Sequence, residues 1–157
     1  ASQYINQDKQ EDHGFELEAL YHFTKKISLK TFYTYVTGEI TTKTTGKDTT
    51  YNNLLRRPGS SLGINLSAQI KKNLFVSTNL LSAGKRKDGY LDNNSLSSVH
   101  TKLKSYILWD LYAEYGFMKN RLRLFADLRN ISSSKYAEIS GFNTPGFNGY
   151  GGIRFNL

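Results

Sequence analysis

Few residues in this chain have the type and spacing that catalysis requires. The three histidines, His13, His22 and His100, are too scattered to indicate a metal site, and no serine, histidine and acidic residue stand out as a triad. Glu16 and Glu18 are the best acid/base candidates, because residues two apart share one face of a strand. The alternative, charged side chains that line a wet interior, is favoured. We therefore predict that the chain is not an enzyme and holds neither a metal nor a cofactor.

The composition removes several other kinds of chemistry. Cysteine is absent, which excludes a disulfide framework, a thiolate zinc site and a cysteine nucleophile. The net charge is +8, and the segment GKRKDG at 84–89 is strongly basic. It is not a Walker loop, since its spacing differs and no helix follows. A basic loop near aromatic residues can bind nucleic acid. We favour a loop that is solvated or meets the phosphate groups of another partner, and expect no nucleic acid.

Apolar and polar residues alternate along most of the chain. From Leu62 to Ile70 every second residue is apolar, and the residues between are glycine or polar. This period of two is typical of a strand with two different faces. Residues 109–128 alone also suit an amphipathic helix, but the neighbouring stretches favour strands. The six apolar sets run through residues 15–23, 27–35, 62–70, 74–80, 107–115 and 122–128.

The connections between these stretches are alternately short and long. Residues 24–26, 71–73 and 116–120 form short connections, whereas 38–53, 84–103 and 131–146 are long and polar. In an antiparallel meander, the short turns then share one end and the long loops the other. This asymmetry is typical of outer-membrane barrels. The sequence predicts an all-β fold, a segment of an antiparallel up-and-down transmembrane β-barrel.

Charge is confined to one side of the predicted strands. The apolar sets contain no charged residue, whereas the intervening positions contain several. A lysine or arginine facing lipid would cost roughly 2–4 kcal/mol at mid-membrane, so we predict that the charged side faces a wet lumen. Among these lumen charges, Glu114 is expected to neighbour Arg121 or Arg123 across the 116–120 turn. Aromatic residues collect near the ends of the strands, as interfacial girdles do: Tyr21, Phe23, Tyr33, Tyr35, Tyr115 and Phe117.

The end of the sequence contains the most specific short pattern. Gly152, Phe155 and Leu157 resemble the C-terminal targeting strand of outer-membrane barrels, although leucine replaces the commoner final phenylalanine. A generic terminal strand is the alternative. The resemblance implies that this end is periplasmic and is read by the barrel-assembly machinery.

Five segments, in order, resemble the late barrel of TonB-dependent outer-membrane receptors, the family that includes cobalamin and siderophore receptors. HGFELE at 13–18 is similar to a Gly-x-Glu-x-Glu strand opening, and LRRP at 55–58 to an Arg-Pro element. WDLYAEY at 109–115 is similar to an Asp-Leu-x-Ala-x-Tyr strand. Residues 129–136 resemble an Asn-Leu-Phe-Asp-x-x-Tyr element, with serines in place of Phe-Asp. GFNTPG at 141–146 resembles the last loop.

The resemblance implies a function for the whole receptor. The chain, residues 1–157, would be the C-terminal portion of a barrel of about 22 strands, with about seven strands here and with the plug domain, its TonB box and the first strands elsewhere. The receptor would import cobalamin, an iron-siderophore or haem across the outer membrane of a Gram-negative bacterium, and cobalamin leads by resemblance alone. Expected partners are the remaining barrel and plug, TonB, outer-membrane lipid and lipopolysaccharide, and a surface lipoprotein.

Loop tips are the predicted places of ligand contact, because they offer stacking rings and neutral amides. Two other classes of protein remain open: a complete small barrel with a structural or adhesive role, and a soluble β domain that binds a polyanion. The candidate ligand-binding residues are Tyr51, Asn52, Tyr90, Asn93, Phe142 and Asn143.

Overall fold

The computed structural model describes residues 9–44, 47–52, 55–92 and 97–155, and the regular structure of these ranges is almost entirely β-strand. No helix that could span a membrane occurs in these ranges. A single 3₁₀ turn lies at Met118–Asn120. The strands are β1 (Lys9–Thr24), β2 (Ile27–Thr44), β3 (Lys47–Asn52), β4 (Ser60–Lys71), β5 (Leu74–Ala83), β6 (Arg86–Asp92), β7 (Ser97–Leu103), β8 (Tyr106–Phe117), β9 (Leu122–Arg129) and β10 (Asn148–Phe155).

Seven strands form one continuous antiparallel sheet in the order β1-β2-β4-β5-β8-β9-β10. Each strand pairs with the next strand of this order, as in a meander. This confirms the predicted all-β class and the antiparallel arrangement. The turns after β1, β4 and β8 lie at one end of the sheet, the short-turn end, and the connections after β2, β5 and β9 lie at the other, the long-connection end.

The strand register places all six predicted apolar sets on the same side of the sheet. Tyr33 pairs with Leu62, Leu80 pairs with Trp109, and the relation continues across every strand boundary. We call this side the apolar face and the opposite side the polar face. A shift of one residue at any pair would have moved a whole set to the other side. Further apolar-face pairs are Phe15–Tyr35, Leu66–Thr78, Ala113–Ala126 and Leu124–Ile153.

The apolar face is exposed rather than packed into a core. Leu17 retains 61% of its accessible surface and Ile153 retains 70%. Among the side chains that the structure describes, the buried hydrophobic ones are Ile40, Ala83 and Leu103. A single sheet layer of this kind has no hydrophobic interior of its own, and its large apolar side chains face outward.

Side chains on the polar face bond across the strands. The hydroxyl groups of Ser28 and Ser67 lie 2.8 Å apart, and the Asn65 amide donates to the Ser77 hydroxyl at 3.1 Å. Phe32 is an apolar exception on this face, and the structure shows why it is accommodated. A Cβ atom at Gly63, its partner residue, would lie 2.1 Å from the Phe32 ring, so the ring covers a position that only glycine can occupy.

Two of the three long connections are β-hairpins rather than irregular loops. β2 continues to Thr44, and β3 folds back along its outer part. β6 and β7 form a separate two-stranded sheet. The sequence pattern did not reveal these strands, because their residues are polar on both sides and show no alternation. The segment between β9 and β10 contains no strand.

Candidate ligand-contacting site

The predicted loop residues lie on different parts of the structure. Tyr51 and Asn52 end β3, where they pair with Ile40 and Glu39 of β2. Tyr90 lies in the middle of β6. Asn93 lies outside the described residues.

Phe142 and Asn143 are exposed in the segment between β9 and β10. The candidate residues are thus spread over two sheets and one irregular segment, and their contact with a ligand stays a prediction.

A group of residues that the sequence analysis did not select brings four chain segments together at the long-connection end. We call it the loop cluster. It joins the segment before β4, the first residues of β6, the start of β8 and the segment between β9 and β10. Its members are Arg56, Arg86, Asp88, Tyr106, Tyr136, Glu138 and Ser140.

Asp88 is the fully buried centre of the loop cluster, with no solvent exposure. Its Oδ1 accepts hydrogen bonds from Arg56 Nε at 2.7 Å and the Gly89 backbone N–H at 2.8 Å. Its Oδ2 accepts one from the Ser140 backbone N–H at 2.6 Å. Burial alone would raise the pKa of this carboxyl group. The hydrogen bonds from Ser140, Arg56 and Gly89, with the Arg56 charge, outweigh burial and hold the pKa below its usual range.

Arg86 is the second buried charge of the loop cluster, with 2% of its side chain exposed. Its Nη1 lies 2.5 Å from Glu138 Oε2, and its Nη2 donates to the Ala137 carbonyl oxygen at 3.1 Å. The guanidinium carbon lies 4.9 Å from the centre of the Tyr106 ring, a cation–π distance. Arg86 is therefore engaged within the protein and holds its neighbours in place.

The parts of the loop cluster that remain accessible are aromatic rings and charges of both signs, since Arg56 keeps 47% of its side chain exposed. The Tyr106 and Tyr136 ring centres lie 4.5 Å apart, and both rings are half-buried. The Tyr106 hydroxyl donates a hydrogen bond to Glu138 Oε1, and 48% of the Glu138 side chain is exposed. This surface offers ring faces, a carboxylate and a guanidinium group to a ligand. In the described ranges, no three histidine, aspartate or glutamate side chains meet as metal ligands would.

Asn130 anchors the start of the segment that carries Tyr136 and Glu138. Its backbone has a φ of 49°, a left-handed conformation that asparagine adopts more readily than most residues. Its backbone N–H donates to Asp110 Oδ1 at 2.8 Å, and its side chain bonds the backbone of Ser134 and the Pro145 carbonyl oxygen. The segment is thereby anchored to β8 on the polar face.

The predicted neighbours of Glu114 lie at the short-turn end of the polar face. Glu114 Oε1 lies 2.7 Å from Arg123 Nη1, so the expected contact across the turn is present for Arg123. Arg154 of β10, which the sequence analysis did not select, lies 3.4 Å from the same carboxylate. Tyr112 also donates to it, at 3.0 Å. Arg121, the other predicted partner, forms no ion pair with Glu114 and is exposed in the turn before β9. That Glu114 and Arg123 line a lumen stays a prediction.

The residues of the C-terminal pattern fall on both faces of β10. Gly152 lies beneath the Phe125 ring on the polar face, where an added Cβ atom would come within 2.6 Å of the ring. Phe155 is exposed on the apolar face opposite Leu122. Leu157 lies outside the described residues. The role of this strand in targeting stays a prediction.

Comparison with known proteins supplies a family and a fold. A family model described as "TonB dependent receptor-like, beta-barrel" matches residues 1–131. A search of curated proteins finds no match.

Several solved structures have a similar fold. FpvA of P. aeruginosa, bound to heterologous pyoverdines, matches with a TM-score of 0.76 and 19% identity over 93% of this chain and 19% of that one. The siderophore receptor PiuA from Acinetobacter baumannii matches with 0.72 and 19% over 93% and 22%. The FrpB iron transporter from Neisseria meningitidis matches with 0.69 and 16% over 92% and 23%. The chain spans about a fifth of the length of these structures.

Proposed function

Because the chain belongs to the TonB-dependent receptor-like β-barrel family, we propose that it is part of the wall of an outer-membrane transporter. The transporter imports a scarce nutrient and uses energy that TonB brings from the inner membrane. The observation that carries this proposal is the division of one sheet layer into an exposed apolar face and a hydrogen-bonded polar face. Lipid covers the first face and the wet interior of the barrel meets the second.

The described sheet needs further strands to form such a wall. β1 and β10 each pair on one side only within the described sheet. An unpaired strand edge in hydrocarbon leaves backbone groups unsatisfied, at a cost of several kcal/mol each. The chain is accordingly one portion of the barrel, and its resemblance to late-barrel motifs supports the C-terminal portion; other strands of the same receptor close it around a plug domain.

The orientation follows from the two kinds of connection. Short turns face the periplasm in barrels of this type, and longer loops face outward. The C-terminal strand β10 then ends at the periplasmic side, and the loop cluster lies at the external mouth of the barrel, on its inner side. This is where an incoming ligand arrives first.

An iron-siderophore is the substrate class that the observations favour over cobalamin or haem. Siderophore and pyoverdine receptors are among the proteins of similar fold. The Tyr106–Tyr136 ring pair and the accessible Glu138 carboxylate provide stacking and hydrogen-bond acceptance for a polar chelate. With this support, the siderophore replaces cobalamin as the leading candidate.

A transport assay separates these substrates. In a strain that lacks the complete receptor, we expect uptake of a radiolabelled iron-siderophore to be lost and uptake of radiolabelled cobalamin and haem to be unchanged. Deleting tonB in the wild-type strain should abolish the same uptake. Loss of cobalamin or haem uptake instead would show that the substrate is wrong. Unchanged uptake of all three would contradict the transport function itself.

Variants of the loop cluster test the site by the binding of the same radiolabelled siderophore to cells that carry the receptor. Tyr136→Ala should weaken siderophore binding about tenfold, because a stacking ring is removed. Phe147→Ala, an exposed ring outside the cluster, is the matched control and should leave binding unchanged. Equal losses in the two variants would show that the loop cluster has no special role.

A further inference from the structure

The three turns at the short-turn end carry charge of one sign only. Six exposed basic side chains lie in or directly beside these turns, and no acidic residue occurs in residues 19–35, 65–79 or 115–126. We call the six the basic rim: Lys25, Lys26, Lys71, Lys72, Lys119 and Arg121.

The charges of the basic rim are not compensated within the described chain. None of the six forms an ion pair with a carboxylate there. The carboxylate that the described residues place near this end, Glu114, is engaged by Arg123 and Arg154 on the polar face.

The long-connection end differs in this respect. Arg57 pairs with Asp12 at 2.8 Å, and Arg56 pairs with the buried Asp88 at 2.7 Å. Lys85, Lys102 and Lys104 at that end form no ion pair within the described residues either, but acidic residues lie among them, whereas the charged residues of the three short turns are all basic.

The basic rim borders the apolar face directly. Lys26 precedes Ile27, Lys71 follows Ile70, and Arg121 precedes Leu122, and these three hydrophobic residues belong to the apolar sets. One residue of strand spans about 3.3 Å, so each charge begins within a few ångströms of the last lipid-facing side chain. Two edge-on aromatic pairs mark the same boundary: Tyr21–Phe23 and Tyr115–Phe117.

We propose that the basic rim binds the phosphate groups of anionic phospholipids of the phosphatidylglycerol type, in the leaflet that meets the short-turn end. The cations lie at the level where the hydrocarbon ends and headgroups begin, and long lysine side chains reach that level easily. An acidic soluble protein would have to approach three separated turns through the headgroup layer. The inference rests on the proposed membrane placement and is independent of the imported ligand.

Lipid titration of the complete purified receptor in detergent, read by native mass spectrometry, tests this proposal. We expect tighter binding of phosphatidylglycerol than of phosphatidylcholine by at least about tenfold, since each basic residue near an anionic surface contributes roughly fivefold. The rim variant Lys26→Gln/Lys72→Gln/Lys119→Gln should lose at least about tenfold in affinity for phosphatidylglycerol and keep its affinity for phosphatidylcholine. Raising the salt concentration should weaken only the anionic lipid.

A matched variant removes three exposed lysines from the other end: Lys85→Gln/Lys102→Gln/Lys104→Gln. It should bind both lipids as the wild type does. The proposal is overturned by equal affinity of the wild type for the two lipids, by an unaffected rim variant, or by an equal loss in the matched variant. Heat-modifiable migration of all three proteins reports separately whether the barrel inserts. If the proposed membrane placement is wrong, the wild type itself will not insert.

Discussion

At the residue scale, two buried charges hold the long-connection end of the sheet together. Asp88 and Arg86 each contact the segment between β9 and β10, Asp88 through the Ser140 backbone and Arg86 through Glu138. Their contacts join residues 52 positions apart in the chain. Because each charge is buried and paired, removing one partner should cost more than removing an exposed ion pair.

Replacing Asp88 by asparagine tests this anchoring. Asp88→Asn removes the charge facing Arg56 and turns an amide donor toward backbone N–H groups that need acceptors. We expect the free energy of local opening of the segment around Ser140 to fall by about 1.5–3 kcal/mol. Hydrogen exchange of its backbone amides should be faster as a result. The control Asp127→Asn loses a more exposed pair with Arg129 and should change exchange little. Similar exchange in the two variants would contradict the anchoring role.

The lowered pKa of Asp88 predicts a pH dependence of the same anchoring. Between the lowered native pKa and the ordinary value near 3.9, the native carboxyl binds fewer protons than the unfolded one, so stability falls as the pH decreases. The stabilising contribution of the Asp88 carboxylate is complete at pH values above the ordinary pKa. We expect limited proteolysis between β9 and β10 to stay slow from pH 6 to pH 4 and to accelerate below that. A rise already at pH 5, or the same acid response in Asp88→Asn, would argue against Asp88 as the titrating group.

At the scale of the strands, the polarity of each sheet face determines which substitutions that face tolerates. Leu66 lies on the apolar face opposite Thr78, and Asn79 lies on the polar face opposite Asp110. Leu66→Lys should lower stability by roughly 2–4 kcal/mol if Leu66 lies near mid-membrane, whereas Asn79→Lys gains a carboxylate neighbour. We expect heat-modifiable migration to show a reduced folded fraction for Leu66→Lys alone. Equal folding of both variants would mean that the two faces meet the same solvent.

The main sheet could be predicted from the sequence because lipid and water impose a polarity on every residue of a spanning strand. The alternating set at 62–70, and the five others, therefore identified the strands and the two faces of each strand. The hairpins β2–β3 and β6–β7 extend beyond the seven-stranded sheet and are polar on both sides, so they have no such signature. Both hairpins rest on backbone pairing, and β2–β3 also on the β propensity of its threonines.

The loop cluster could not be predicted for a different reason. An ion pair such as Arg86–Glu138 joins distant positions, and neither residue is marked by its local pattern. Two weak signals existed: an aspartate within the basic segment 84–89, and Asn130 within a motif shared with the family. Without the fold, neither indicates which partner the residue meets.

At the scale of the whole molecule, the seven-stranded sheet is a wall rather than a globule. It has a single layer, an exposed apolar face and edges at β1 and β10 that pair on one side only in the described sheet. These features follow from the requirement that a sheet in lipid satisfy its backbone by closing on itself. In the proposed receptor, the bilayer and the remaining barrel strands take the place of the hydrophobic core of a soluble domain.

The most direct measurement of this account is a scan of spin labels along β5 in the complete receptor, reconstituted in phospholipid vesicles. Single cysteines that carry the label are placed one at a time at residues 74–80; the sequence of this chain contains no cysteine. We predict that collision with lipid-soluble oxygen rises and falls with a period of two. It should be high at Leu74, Val76, Thr78 and Leu80 and low at Phe75, Ser77 and Asn79. Uniformly low oxygen access at all seven positions would place this strand inside a protein core and contradict the account.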